Sequence, residues 1–263
     1  IVIPEGVALY GGFAGNEARF ALRKWRVNET VLQGSGTDSV VQFAAGATAR
    51  TRIDGFTIRN GGAVFGAGIR CENASPVIAN NIIRDNVSPS GGGGIGCLDG
   101  GSAQILNNFI HENEAANEGG GIAVQSGTPL IACNIIARNT AVAGGAIQLV
   151  ESSTVKCVNN TIVYNTSTGP GPEVVVIWNC ATPVFANNLV ALNSAGVRKD
   201  GTGTTAFTAN CAYNTPGVNY TGQADPTGSG GNISADPKFV NVAADDYHLQ
   251  SDSPCRNACD NAQ

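Results

Sequence analysis

Four short segments carry chemically able side chains at one offset. Arg84 and Asp85 follow Asn81, His111 and Glu112 follow Asn108, Arg138 follows Asn134, and Tyr164 follows Asn160, each at three or four residues. Side chains of these types can do acid–base chemistry: a cation can neutralise a ligand carboxylate, and Arg, His or Tyr can take up a proton. If successive segments stack, Arg84, Asp85, His111, Glu112, Arg138 and Tyr164 form one ligand-contacting patch, with His111, Arg138 and Tyr164 as its catalytic candidates. The competing reading is a solvated corner in which Asp85 and Glu112 pair with Arg84 and Arg138. Exposed pairs of that kind contribute only about 0–1 kcal/mol. His248, in the run Asp246-Tyr-His-Leu249, reads as part of a terminal structural motif.

What would position these groups is a repeat. The pattern Asn-x-x-x-x-Asn occurs at Asn81–Asn86, Asn108–Asn113, Asn134–Asn139, Asn160–Asn165 and Asn188–Asn193. With Asn60 included, the second Asn recurs at spacings of 26, 27, 26, 26 and 28. Three residues before the first Asn stand Ile78, Ile105, Ile131, Cys157 and Phe185. Two after it stand Ile83, Ile110, Ile136, Ile162 and Val190. Glycine clusters precede Ile69, Ile95, Ile122 and Ile147 in the same phase. Short β-branched runs, glycine turns and a period near 26 predict an all-β solenoid in which each turn of chain is one rung. Rungs stacked at about 4.8 Å would align the apolar columns inside. They would also align Asn81, Asn108, Asn134, Asn160 and Asn188 as a hydrogen-bonded corner ladder, with Asn tolerating the left-handed backbone there. The glycine clusters lack the Gly-Lys-Ser/Thr of a phosphate loop and mark a second corner.

Residues 1–195 read as rungs, interrupted by a polar excursion at 16–28. That excursion could form a short helix with Leu22 and Trp25 on the core. Residues 166–173 read as a loop that lengthens one rung. Residues 196–263 lose the period and read as the last rungs and an irregular C-terminal cap, able to cover one exposed edge of the stack.

Composition removes several classes. Charged residues are 13%, too few for a coiled coil, and 42% hydrophobic residues suffice for a core. The net charge of −5 leaves no basic excess for nucleic acid. No apolar run reaches the roughly 20 residues of a membrane span. Residues 1–70 carry 8 basic against 5 acidic side chains and residues 201–263 carry 2 against 6, a polarity that would orient head-to-tail self-association. The chain starts at Ile1 in a strand-like run and reads as a trimmed piece of a longer precursor. Eight Cys with only two His favour an oxidising, extracellular setting over a metal site. Cys71 and Cys97 share an inward column, as a bridge or as packed thiols. Cys157 takes a core position as a buried thiol, and Cys255 with Cys259 could close a small loop.

These repeats resemble the right-handed parallel β-helix superfamily that includes pectate lyases, on the signature Ile78-x-x-Asn81-x-Ile83-x-x-Asn86 and again Ile131-x-x-Asn134-x-Ile136-x-x-Asn139. Gly144-Gly-Ala-Ile147 is similar to the repeats of chlamydial polymorphic membrane proteins. The ends resemble bacterial surface-anchored β-helix proteins: Leu9-Tyr-Gly-Gly-Phe-Ala-Gly-Asn-Glu17 and Trp25–Leu32 at the start, Asp236-Pro-Lys-Phe-Val240 and Asp246–Pro254 at the end. The resemblance implies a single-stranded right-handed parallel β-helix, exported to the cell surface. The expected function is a structural or adhesive module facing a glycan or surface polymer. A polysaccharide lyase and a self-assembling filament subunit are the alternatives. No cofactor is expected. Calcium, which the resemblance to lyases would imply, has no acidic motif here to hold it.

Overall fold

The computed structural model describes residues 1–152 and 154–256. One turn of chain runs through Ile95–Leu98, Gln104–Leu106, Phe109–His111 and Glu114–Ala115, and the chain re-enters the first wall at Ile122–Gln125. Repetition of this turn builds a first sheet of nine strands, from Val2–Ile3 to Tyr220–Thr221. A second sheet of eight strands runs from Ala8–Tyr10 to Ala206–Thr208, and a third of eight from Val31–Gln33 to Cys211–Tyr213. A four-stranded strip, from Val87–Ser88 to Thr166–Ser167, lines one corner. All pairing between rungs is parallel and in register, with Ile95 on Ile122, Ile105 on Ile131 and Ile110 on Ile136.

The period-2 alternation of each short strand turns one set of side chains inward. Ile78, Ile105, Ile131, Cys157 and Phe185 form one continuous buried column. Each fully buried Ile contributes about 1.5–3 kcal/mol, so the column is a main source of cohesion between rungs. Burial pushes the Cys157 thiol up to about 12, which keeps it an inert apolar side chain. Cys71 and Cys97 are in-register partners in the first sheet, both buried, and both free thiols. The Cys255–Cys259 loop involves a residue outside those described.

Buried asparagines close the turn between the second and third sheets. Each Nδ2 donates to the next rung's Oδ1: Asn81 to Asn108 at 3.1 Å, Asn108 to Asn134 at 3.0 Å, Asn134 to Asn160 at 3.1 Å and Asn160 to Asn188 at 3.0 Å. The same Oδ1 accepts a backbone N–H, and the same Nδ2 also donates to a main-chain carbonyl, as Asn108 does to Ile78. These amides therefore satisfy buried backbone groups as well as one another. A second ladder, Asn86–Asn113–Asn139–Asn165–Asn193, repeats the arrangement past the third sheet.

The left-handed backbone is not on the ladder itself, contrary to the sequence-based expectation. It falls one residue earlier, at Asn80, Asn107, Cys133, Asn159 and Asn187 for the first ladder, with φ between 52° and 58°. The preceding residue makes the bend with its side chain outside, which leaves the laddered Asn free to point inward. Glycine serves differently. Gly92 takes φ 64°, whereas a Cβ on Gly94 would lie 2.6 Å from the Gly121 carbonyl oxygen of the next rung.

One further departure concerns the excursion at 16–28. Phe20–Leu22 is a single 3₁₀ turn, and Leu22 is 55% exposed instead of lying on the core. Polar contacts hold that excursion: Arg23 reaches Asp54, which also pairs with Arg52 and accepts from Asn80. The last rungs follow residue 195: the first ladder continues through Asn210 and Asn232 with rungs shortened to 22 residues. Residues near Ile233 lie across the last rung. The C-terminal cap contains the antiparallel hairpin Phe239–Asn241 and Asp246–Leu249, which packs on the flank of the stack. Among the described residues no helix is long and apolar enough to cross a membrane.

Candidate functional site

The corner after the third sheet holds the six residues singled out by spacing. Arg84 and His111 are register partners on adjacent strands. The next residues, Asp85, Glu112, Arg138 and Tyr164, share one left-handed corner with φ from 53° to 55°. A bulky residue there turns its side chain out of the solenoid, so the column projects from the corner as a row.

The row is engaged with itself. Arg84 pairs with Asp85, and Glu29 lies 3.8 Å away. Nδ1 of His111 is 3.0 Å from Glu112 Oε2, so this nitrogen carries the proton, because a carboxylate only accepts. The imidazole stacks on Phe109 at 4.1 Å between centroids, and its burial pushes its pKa down, favouring the neutral ring. Arg138 reaches Glu112 at 3.2 Å, Asp245 at 2.5 Å and the Tyr247 hydroxyl at 2.8 Å. Burial alone would raise the Asp245 pKa, but the bonds from Arg138 and Tyr247 outweigh it and hold this carboxylate ionised.

The C-terminal hairpin therefore docks on this corner. Outward-facing Ala137, Val163 and Ala191 of the third sheet are small enough to receive Phe239 and Tyr247, and the five are buried together. Tyr164 stands at the edge of the seam, 37% exposed. A groove of about 510 Å³ remains, lined by Glu112, Arg138, Tyr164, Val242, Ala243 and Asp245. Arg138 and Tyr164 border it, whereas His111 is packed away beneath. Among the described residues no group of three or more His, Cys, Asp or Glu is placed to hold a metal ion.

A second surface escaped the sequence reading. On the outer face of the first sheet, Gln125, Val150, Trp178 and Asp200 follow one another in register. Beside them run Ala123, Gln148, Val176 and Arg198. Trp178 is 43% exposed, a large apolar area left to solvent. The Glu118 carboxylate gathers the amides of Gln125 at 2.7 Å and Gln148 at 3.2 Å, and Arg198 pairs with Asp200. The signal lay in the sequence as the residues one and three after the glycine-cluster Ile. Without the register these are unremarkable polar and apolar residues.

The family described as right handed beta helix region matches residues 40–227, which spans nearly all the rungs. Among curated proteins and among solved structures no match was found. With parallel walls in register, two asparagine ladders and a family match over most of its length, the chain belongs to the right-handed β-helix family.

Proposed function

We propose that this chain is a rigid extracellular surface module whose first-sheet face binds glycan. The observation that carries the reading is half-exposed Trp178 on a flat parallel sheet, flanked by the Glu118–Gln125–Gln148 and Arg198–Asp200 groups. An indole face offers an apolar platform for a sugar ring, while carboxylate and amide groups beside it hydrogen-bond the hydroxyls. The stacked rungs supply a stiff support, because interlocked ladders leave the sheet little freedom to deform. Indole fluorescence titrated with neutral and uronic oligosaccharides tests the proposal. Saturable quenching that survives Trp25→Phe and is lost in Trp178→Ala supports it, and no response to any oligosaccharide refutes it.

The groove at the hairpin seam favours a second reading, elimination on a uronate polymer with Tyr164 as base and Arg138 as carboxylate partner. Arg138 is already held by Glu112 and Asp245, which weighs against its meeting a substrate. Absorbance of unsaturated products decides this alternative, and its loss in Tyr164→Phe would locate the base.

A further inference from the structure

Cys211 opens the last strand of the third sheet and occupies the outward column above Leu189. It is nonetheless 6% exposed, because the returning C-terminal segment lies over it. Its Sγ touches the Ala235 carbonyl at 3.3 Å and the Cys255 Sγ at 2.8 Å. Cys255 is fixed there by its surroundings. Ser253 Oγ donates to the Pro237 carbonyl at 2.6 Å, Gln250 donates to Lys238 and Phe239 carbonyls, and Lys238 pairs with Asp252 at 2.7 Å. The tail is thus pinned to the hairpin, with its sulfur against the solenoid.

We propose that Cys211 and Cys255 form a disulfide that locks the C-terminal hairpin onto the flank of the stack. The bond would close a loop containing the whole cap, the segment least covered by rung-to-rung contacts. Half-exposed Cys255 is the accessible partner. Its thiolate attacks a low-molecular-weight disulfide such as oxidised glutathione, giving a mixed disulfide and releasing one thiolate. Cys211 then attacks the Cys255 sulfur and expels the second thiolate. Overall two thiols lose two protons and two electrons, and one oxidant disulfide becomes two thiols. The hydrogen bond from Cys255 lowers the Cys211 pKa, which favours the resolving thiolate. The Cys71–Cys97 pair differs: sealed in the core, its Cys71 is raised well above the ordinary value by burial, so it is shielded from the same oxidant.

Tryptic mapping reads the pairing directly. Cleavage after Lys199, Lys238 and Arg256 puts Cys211, Cys255 and Cys259 on three separate peptides. The protein is incubated with oxidised and reduced glutathione, alkylated, digested and analysed without reduction. The expected product joins residues 200–238 to 239–256, two hydrogens lighter than the two peptides together. Cys255→Ser should lose it, and reductant should speed amide exchange in the hairpin of the wild type alone. Alkylation of both Cys211 and Cys255, or joining of 239–256 to the tail peptide 257–263, would overturn the proposal. The wild-type map decides even if a variant folds poorly.

Discussion

The outer faces of the first and third sheets are built by the same repeat and end up opposite in character. On the third, small side chains at Ala137, Val163 and Ala191 lie under Phe239 and Tyr247, and the charges at the adjacent corner are spent on Asp245 and Glu112. On the first, no segment among the described residues returns to cover the strands, so Trp178 stays half in solvent and charges pair along their own strand, as in Arg70–Glu72 and Arg198–Asp200. A polar row on a solenoid is therefore not yet a site. Whether another part of the chain lies on it decides what its groups are free to do.

Phe239→Ala should break the covered face most directly. It removes an almost fully buried ring and should cost about 3 kcal/mol of hairpin docking. The effect should be local: hydrogen exchange speeds up over 239–249 while the rungs stay protected. Equal acceleration in the first sheet would show that the hairpin is part of the stack's cooperative core.

Asn134→Ala should weaken the stack itself and not one outer face, because the ladder holds successive rungs together at the turn between the second and third sheets. It strips partners from the Asn108 backbone N–H and side-chain amide and from the Ile105 carbonyl, at a cost of about 2 kcal/mol. Thermal melting checks this, with Asn134→Asp and nearby Thr140→Ser as controls for shape and solvent contact. A melting temperature unchanged by Asn134→Ala would remove the ladder from the account.

Arg138→Ala should cost about 1 kcal/mol, discounted because this cluster is partly exposed, whereas Arg198→Ala on the open face should lie within about 0.5 kcal/mol. Comparable losses would erase the distinction between a corner that docks the hairpin and a face that does not.

Acid should separate the faces too. His111 has a folded pKa below its unfolded one, so the stability it contributes is present above the ordinary histidine value near 6.5. It is lost as pH falls through and below that value, when the unfolded chain takes up the proton first. Asp245, also depressed, adds a second loss at lower pH, in the carboxylate range. Melting curves from pH 7.5 to 4 should show hairpin signals failing before first-sheet signals. His111→Gln should remove the earlier step, and an unchanged step would assign it elsewhere. At the far end, Glu5, held down to about 2 by its bonds from Thr48 and Thr51, should keep those contacts in the folded chain until pH nears 2, while the stability they contribute declines as pH falls below 4.5.

The smallest effect on stability belongs to Trp178→Ala, within about 0.5 kcal/mol, since the ring is half in solvent. A larger loss would mean that the ring is packing against its neighbours and is not available as a platform.

Sequence alone determined what repeats: the rung length, the inward columns such as Ile78–Ile105–Ile131, and the phase that puts Arg84, His111, Arg138 and Tyr164 on one corner. Stacking enforces these because a one-residue slip would turn an entire apolar column outward and leave every asparagine amide unpaired. The place of Asn210 and Asn232 in the last rungs was not legible for a related reason, since a period of 22 residues no longer matches the earlier phase. Tertiary structure decided everything that depends on contacts between distant, non-repeating segments. Asp245 meets Arg138 across 107 residues and Cys255 meets Cys211 across 44, and neither pair shares a phase with the repeat. Trp178 is exposed because, among the described residues, no segment folds back over the first sheet. Local spacing determines which side chains share a column, but the coverage of a column is fixed by where the rest of the chain comes to rest.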